Sequence, residues 1–187
     1  LLFSYLAKKP FPQYGAVSTR MNQIPYEQFL SDDFSAEKKN EINEIIGNKF
    51  VRRKGANGFW YIDSFITKWV PDPSAFRGKV FVITNAKVTS AASYFALMVK
   101  NAGIGKIVGE ETAGGSYSGN GFDFVKYKLP NSGIRVNFPY AHIIYNYPDS
   151  VNRGKGVLPD YKIPSTPNSF QSNRDNHVFF IVDSFIS

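Results

Sequence analysis

Residues 79–109 read KVFVITNAKVTSAASYFALMVKNAGIGKIVG, and their pattern decides the fold class. Lys79 to Asn85 is a short, almost continuous apolar run rich in β-branched residues, as expected of a parallel strand covered on both faces. From Ala91 to Asn101, the residues Ala92, Phe95, Ala96, Met98 and Val99 fall in helical register, and Gly103 stops the helix. Lys106-Ile107-Val108-Gly109 is a second short strand. Strand, helix and strand at this spacing make a βαβ unit, whose crossover is expected to be right-handed.

Downstream, Phe122 to Leu129 and Ile134 to Pro139 are strand-like and flank Pro130-Asn131-Ser132-Gly133, a turn signature that predicts a hairpin. Asp175 to Ile186 shows helical apolar spacing at Val178, Phe179, Val182, Phe185 and Ile186. Upstream, Phe34, Ile42, Ile45 and Ile46 predict a surface helix over residues 34–46, with Asp33 or Ser35 as cap and Gly47 as stop. Pro10, Pro12, Gly15 and Pro25 before it, and Pro71, Pro73 and Gly78 after it, make the first 75 residues irregular, with up to two helices. The expected architecture is α/β with βαβ units, a mixed sheet and a β-hairpin. Residues 1–78 form an irregular and helical segment within the core, and residues 79–187 carry the strands and helices that define it.

A chain of 187 residues fits one domain, or a large piece of one. With 43% hydrophobic and 16% aromatic residues the composition is that of a folded globular protein and not a disordered one. The chain opens at Leu1 without an initiator Met, so a processing site or other boundary is expected there. No stretch has the roughly 18 apolar residues needed to span a bilayer, and no signal peptide is visible. The absence of Cys excludes disulfides, zinc–thiolate sites and a Cys nucleophile while leaving the redox compartment open. A net charge of +7 raises nucleic acid as a partner, and the densest basic run is Lys49, Arg52, Arg53 and Lys54. That run holds Gly55 and Gly58 and adjoins Trp60 and Tyr61, so it reads as a loop and strand edge on a solvated surface, with no nucleic-acid partner.

The chemistry concentrates in Val88-Thr89-Ser90-Ala91-Ala92-Ser93, at the turn between the first strand and its helix. Backbone N–H groups at a helix start lack partners, so an oxyanion formed beside Ser90 is stabilised there, and Ser90 is a candidate nucleophile. The same stretch suits plain capping by Thr89 or Ser90, and taken alone it favours capping. The glycine-rich segment from Gly114 to Gly121 lacks the Lys-Ser/Thr of a phosphate-binding loop. It reads as a mobile loop lining a substrate cleft, with Gly114 and Gly115 against the substrate. Of the two histidines, His177 lies in the C-terminal helix, where an exposed or packing role is expected. His142 is a candidate general base, although a lone His is more often structural.

Several elements occur in one order: Asn85, Ser90-Ala91 with Phe95-Ala96, Gly109-Glu110-Glu111-Thr112-Ala113-Gly114, the Leu129-Pro130 hairpin and Gly156-Val157-Leu158-Pro159-Asp160. In this the chain resembles the tail-specific, or C-terminal processing, serine peptidases and their tricorn-like and retinoid-binding-protein-like branch, over roughly residues 79–187. The resemblance implies a crotonase-like and Clp-protease-like core and hydrolysis of peptide bonds in extended polypeptides. It implies that Ser90 forms an acyl-enzyme, with the Ala91 N–H as one donor of the oxyanion hole. It also implies a bacterial exported, periplasmic or cell-envelope setting, and neither metal nor cofactor. The family's Asp-Leu-Arg and Gly-Gly elements do not precede residue 79, so the N-terminal strands of the core are expected to lie outside these residues, and the fragment alone to be inactive. Oligomeric state stays open.

Two departures qualify the resemblance. Gly115 stands where the Ser-Lys branch has its lysine, which points to a histidine base supplied from outside this chain. The branches without that lysine orient their histidine with a second serine and a glutamate, and the glutamate would fall just before Gly156, where this chain has Asn152-Arg153-Gly154-Lys155. Relatives carry Glu at the position of Ser93, to which the sequence assigns no role. The rival reading is a catalytically inactive relative that binds peptide or an apolar ligand.

Overall fold

The computed structural model describes residues 2–52, 60–62, 68–146, 153–167 and 175–186. The chain forms two compact units, Leu1–Phe11 with Lys68–Tyr117 and Tyr147–Ser187, and Pro12–Thr67 with Ser118–Asn146.

The first unit is built on the predicted βαβ pattern. Strand β6 (Phe81–Thr84) leads into helix α2 (Ser90–Asn101) and then β7 (Lys106–Gly109), in chain order after β1 (Phe11–Pro12) and β5 (Lys68–Trp69), which pair with each other. β6 and β7 run parallel, with Val82 opposite Ile107 and Thr84 opposite Gly109. A short strand β10 (Tyr161–Lys162) joins the other side of β7, also parallel, giving the order β10-β7-β6. The core is the apolar side of α2, with Ala96, Leu97, Met98 and Val99, together with Ile107, Val108 and Val157, all buried. Phe3, in a 3-10 turn at Leu2–Tyr5, stacks edge-on against Phe11 at 4.7 Å between centroids. Helix α3 (Asn176–Phe185) is capped by the Asp175 carboxylate and sets Phe180 and Phe185 against Tyr161.

One expectation fails here. β6 is parallel, but it is the edge of its sheet and is not covered on both faces, since Ile83 is 41% exposed. An unbroken apolar run offers both faces for burial, yet which faces receive a packing layer is decided by elements elsewhere in the chain.

The second unit is a five-stranded antiparallel sheet ordered β3-β4-β2-β9-β8. Its strands are β2 (Tyr14–Thr19), β3 (Phe50–Arg52), β4 (Trp60–Ile62), β8 (Ser118–Lys128) and β9 (Arg135–Tyr145). Parallel and antiparallel pairing are therefore both present, in separate sheets. The hairpin forms as predicted and is longer, with 11 residues in each strand. Gly133 takes φ 70°, a conformation glycine adopts without strain, and its N–H donates to Leu129 O at 2.9 Å to close the turn. Helix α1 (Ala36–Lys49) is capped by Ser35, whose Oγ accepts the Lys38 N–H at 3.2 Å. It buries Ile42 and Ile46. Gly47 does not stop it; the helix runs on to Lys49 and ends where β3 begins, with Lys49 and Arg52 at the element ends. Arg53 and Lys54 lie outside the described residues.

The irregular reading of the first 75 residues is corrected by β2, β3 and β4. Tyr14 to Thr19 mixes small and polar residues and carries little strand signal of its own. Its state comes from pairing with β9 more than a hundred residues later, where Val17 lies opposite Ile143 and Ser18 opposite His142. Among the described residues no helix is long and apolar enough to cross a membrane.

Candidate active site

Three loops of the first unit converge on the start of α2. The turn after β6 is held by the Asn85 carboxamide, which accepts the Lys87 N–H at 2.9 Å, and by the Val88 N–H donating to Asn85 O at 3.0 Å. It delivers Thr89 in extended geometry and Ser90 at φ 52°. A non-glycine residue in the left-handed region costs about 1–2 kcal/mol and marks a place where the surrounding structure imposes strain. Thr89 occupies the cap position, yet its hydroxyl makes no capping bond. Helix capping, the plain reading of this stretch, is thus not what its hydroxyls do. Ser90 and Ala91 are exposed, and among the described residues the Ser90 hydroxyl and the Ser90 and Ala91 N–H groups have no hydrogen-bond partner. The first amides that find an acceptor are Ala92 and Ser93, both donating to Thr89 O.

The second loop follows β7. Gly114 N–H donates to Val88 O at 3.1 Å, tying this loop to the serine turn. A side chain at Gly114 would place its Cβ 2.2 Å from Ser93 Oγ and 3.0 Å from Ser90 N, so only glycine lets the loop come this close. Ser93 itself is fully buried, and its hydroxyl donates to Val88 O at 2.9 Å. That bond fastens the turn before α2 to the helix itself.

The third loop brings Gly156-Val157-Leu158-Pro159-Asp160 alongside Gly109 to Gly114. Thr112 N–H donates to Val157 O at 3.2 Å, and Val157 N–H donates to the Thr112 hydroxyl at 2.8 Å. That hydroxyl donates in turn to Gly114 O at 2.8 Å. Gly156 N–H donates to Glu111 Oε1 at 2.7 Å, and Gly115 bridges to Gly156. The Asp160 carboxylate accepts the Ile107 N–H at 2.8 Å, and the Asp160 N–H returns to Ile107 O. The two sequence motifs are one hydrogen-bonded scaffold under the head of α2. Residues Gly114 to Ser116, read as a mobile loop, are tied down at each step, Ser116 by donation to Lys155 O at 3.0 Å.

Ser90, Ala91, Gly114 and Gly115 thus stand together in the first unit. His142 is on β9 of the second unit, exposed, between Ser18 of β2 and Asn120 of β8. His177 has the structural role expected, its Nδ1 lying 3.1 Å from Asp175 Oδ1 and its Nε2 3.0 Å from Ile163 O. The sequence reading missed Glu111 and Thr112 as the clasp between the loops. The signal was there, in the joint presence of the two motifs, but spacing along the chain does not show which atoms meet.

The strand, serine turn and helix define an α/β fold with an exposed serine at a helix N-terminus. The model of peptidase family S41 matches residues 9–163, and the chain belongs to that family. No curated protein matches it. Among solved structures it is similar to a candidate peptidase from Parabacteroides merdae, with 17% identity and a TM-score of 0.55, over 100% of this chain and 46% of that one. It is also similar to mature CPAF, with 22% identity and a TM-score of 0.50, over 67% of this chain and 24% of that one. The chain thus spans less than half the length of these structures, and at such identities the likeness speaks for the fold.

Proposed function

We propose that this chain carries the nucleophile of a serine peptidase, with Ser90 attacking the scissile carbonyl of an extended polypeptide. The observation that carries the reading is the strained Ser90 at φ 52°, with its hydroxyl and the adjacent Ala91 N–H unpartnered among the described residues. A hydroxyl spent on capping could not attack, and an amide spent inside the helix could not bind an oxyanion.

In this mechanism Ser90 Oγ bonds to the carbonyl carbon while its proton passes to a general base. The carbonyl oxygen becomes an oxyanion facing the Ala91 N–H and the positive end of α2. Collapse expels the amine, which takes a proton, and leaves an acyl-enzyme on Ser90 that water hydrolyses. The base is proposed to come from outside these residues, since Gly115 stands where a lysine base would be. No metal or organic cofactor takes part in the proposal, and the substrate is polypeptide, not nucleic acid.

A fluorophosphonate probe on the intact protein tests this, with the labelled peptide mapped. Labelling at Ser90 that vanishes in Ser90→Ala, with peptide hydrolysis falling by at least about 10⁴-fold, is the expected result. In His142→Gln, labelling is expected to persist; its loss would make His142 the base. Absence of labelling in the folded protein would favour the inactive peptide-binding relative, which the missing lysine at Gly115 already recommends.

A further inference from the structure

The loops that clasp the head of α2 carry cations with no ion pair among the described residues. Lys38, Lys39, Lys100, Lys126 and Lys128 each meet a carboxylate. By contrast Lys87, Arg153 and Lys155, all exposed, have no ion pair among the described residues. Lys87 lies three residues before Ser90, in the turn fixed by Asn85. Lys155 offers its carbonyl to both the N–H and the hydroxyl of Ser116, at 3.0 and 3.1 Å, which sets its loop directly against Gly115 and Ser116. Arg153 lays its guanidinium over the Tyr117 ring, 4.3 Å from the centroid. The stack holds the planar group on one face, and its edge donors, which meet no acceptor among the described residues, suit a bidentate acceptor. Among the described residues three carboxylates share these loops, and each is used internally: Glu110 accepts the Ser165 N–H at 3.3 Å, Glu111 the Gly156 N–H at 2.7 Å and Asp160 the Ile107 N–H at 2.8 Å.

The Arg153 guanidinium is therefore poised, and its place is measurable along the chain. Gly114 abuts Ser90 N, Tyr117 is three residues further on, at most about 10 Å away for extended backbone, and the Tyr117 side chain with the 4.3 Å stack adds at most about 8 Å. That is the span of about six residues of an extended substrate. We propose that Arg153, supported by Lys155 and Lys87, selects polypeptides with a carboxylate within about six residues of the bond presented to Ser90. This rests on the peptidase reading for the word substrate, but the selection itself is a property of the loops.

The test uses matched peptides differing by Glu or Gln at each of about six positions on either side of the cleavage point, each with a free or amidated C-terminus. Their kcat/KM values are measured on the intact protein, and their binding to its Ser90→Ala variant by fluorescence anisotropy. A Glu over Gln preference of about tenfold at one position, shrinking as salt is added, is expected in both readouts. In Arg153→Gln the ratio should fall towards one, and in Arg153→Glu it should invert. A preference that follows the free C-terminus instead would assign the same cationic point to a terminal carboxylate. Equal binding of Glu and Gln peptides, with fluorophosphonate labelling of Ser90 intact, would overturn the selection and leave the peptidase reading standing. Acid-selective binding without any labelling would do the reverse.

Discussion

Ser90 sits at φ 52° after a turn that Asn85 holds at Lys87 and Gly114 holds at Val88, so the strain belongs to the residue and not to the helix that follows. Replacing Ser90 by Gly relieves the left-handed conformation, whereas replacement by Ala keeps it. Ser90→Gly should therefore be more stable than Ser90→Ala by about 1 kcal/mol in urea denaturation, with both variants refusing the fluorophosphonate probe. Gly114 answers to the opposite constraint, space. Gly114→Ala would drive a methyl against Ser93 Oγ, and it should cost about 1–3 kcal/mol and weaken labelling at Ser90 by displacing the loop. Ser90 could be picked out in the sequence from its place at the end of an apolar strand. Gly114 could be picked out only as one glycine among several, because the contact that demands it comes from a helix two dozen residues away.

At the scale of elements, the loop after β7 and the loop before β10 behave as a single clasp. Thr112 is its centre, since one buried hydroxyl accepts from Val157 N–H and donates to Gly114 O. Thr112→Val keeps the shape and leaves a buried N–H unsatisfied, which should cost about 1–3 kcal/mol by chemical denaturation. Asp160 fixes the start of β7 through the Ile107 N–H. Asp160→Ala should cost a similar amount, and most of it should come from that lost acceptor, because the 3.5 Å pair with Lys100 is partly exposed and contributes little. The reading of Pro159-Asp160 as a turn with a carboxylate accepting backbone hydrogen bonds was available from residue types alone. The identity of the accepting partner was not, since Ile107 lies 53 residues earlier.

At the scale of the whole molecule, the second unit carries two described groups held far from their ordinary titration, Asp33 and Tyr140. The Ser31 hydroxyl and then Lys126 hold the Asp33 carboxyl down at about 2. Its folded value lies below its ordinary one, so the stability it contributes is present above about pH 4 and is lost as pH falls towards 2. Burial pushes the Tyr140 phenol up to about 12, so its contribution is present below about pH 10 and is lost as pH rises from there to 12. Circular dichroism of Asp33→Asn and Tyr140→Phe across pH should show a flattened acid limb in the first and a flattened alkaline limb in the second. By itself, the sequence determined the βαβ unit, the hairpin and its turn, the two later helices and the candidate serine. Each of these is written in local periodicity, or in turn chemistry that a few neighbouring residues control. Only the tertiary structure decided that β2 to β4 are strands, that β6 is an edge, and that two distant motifs form one scaffold beneath Ser90. Those outcomes depend on partners far along the chain, whose pairing is set by the burial and hydrogen bonds of the folded whole.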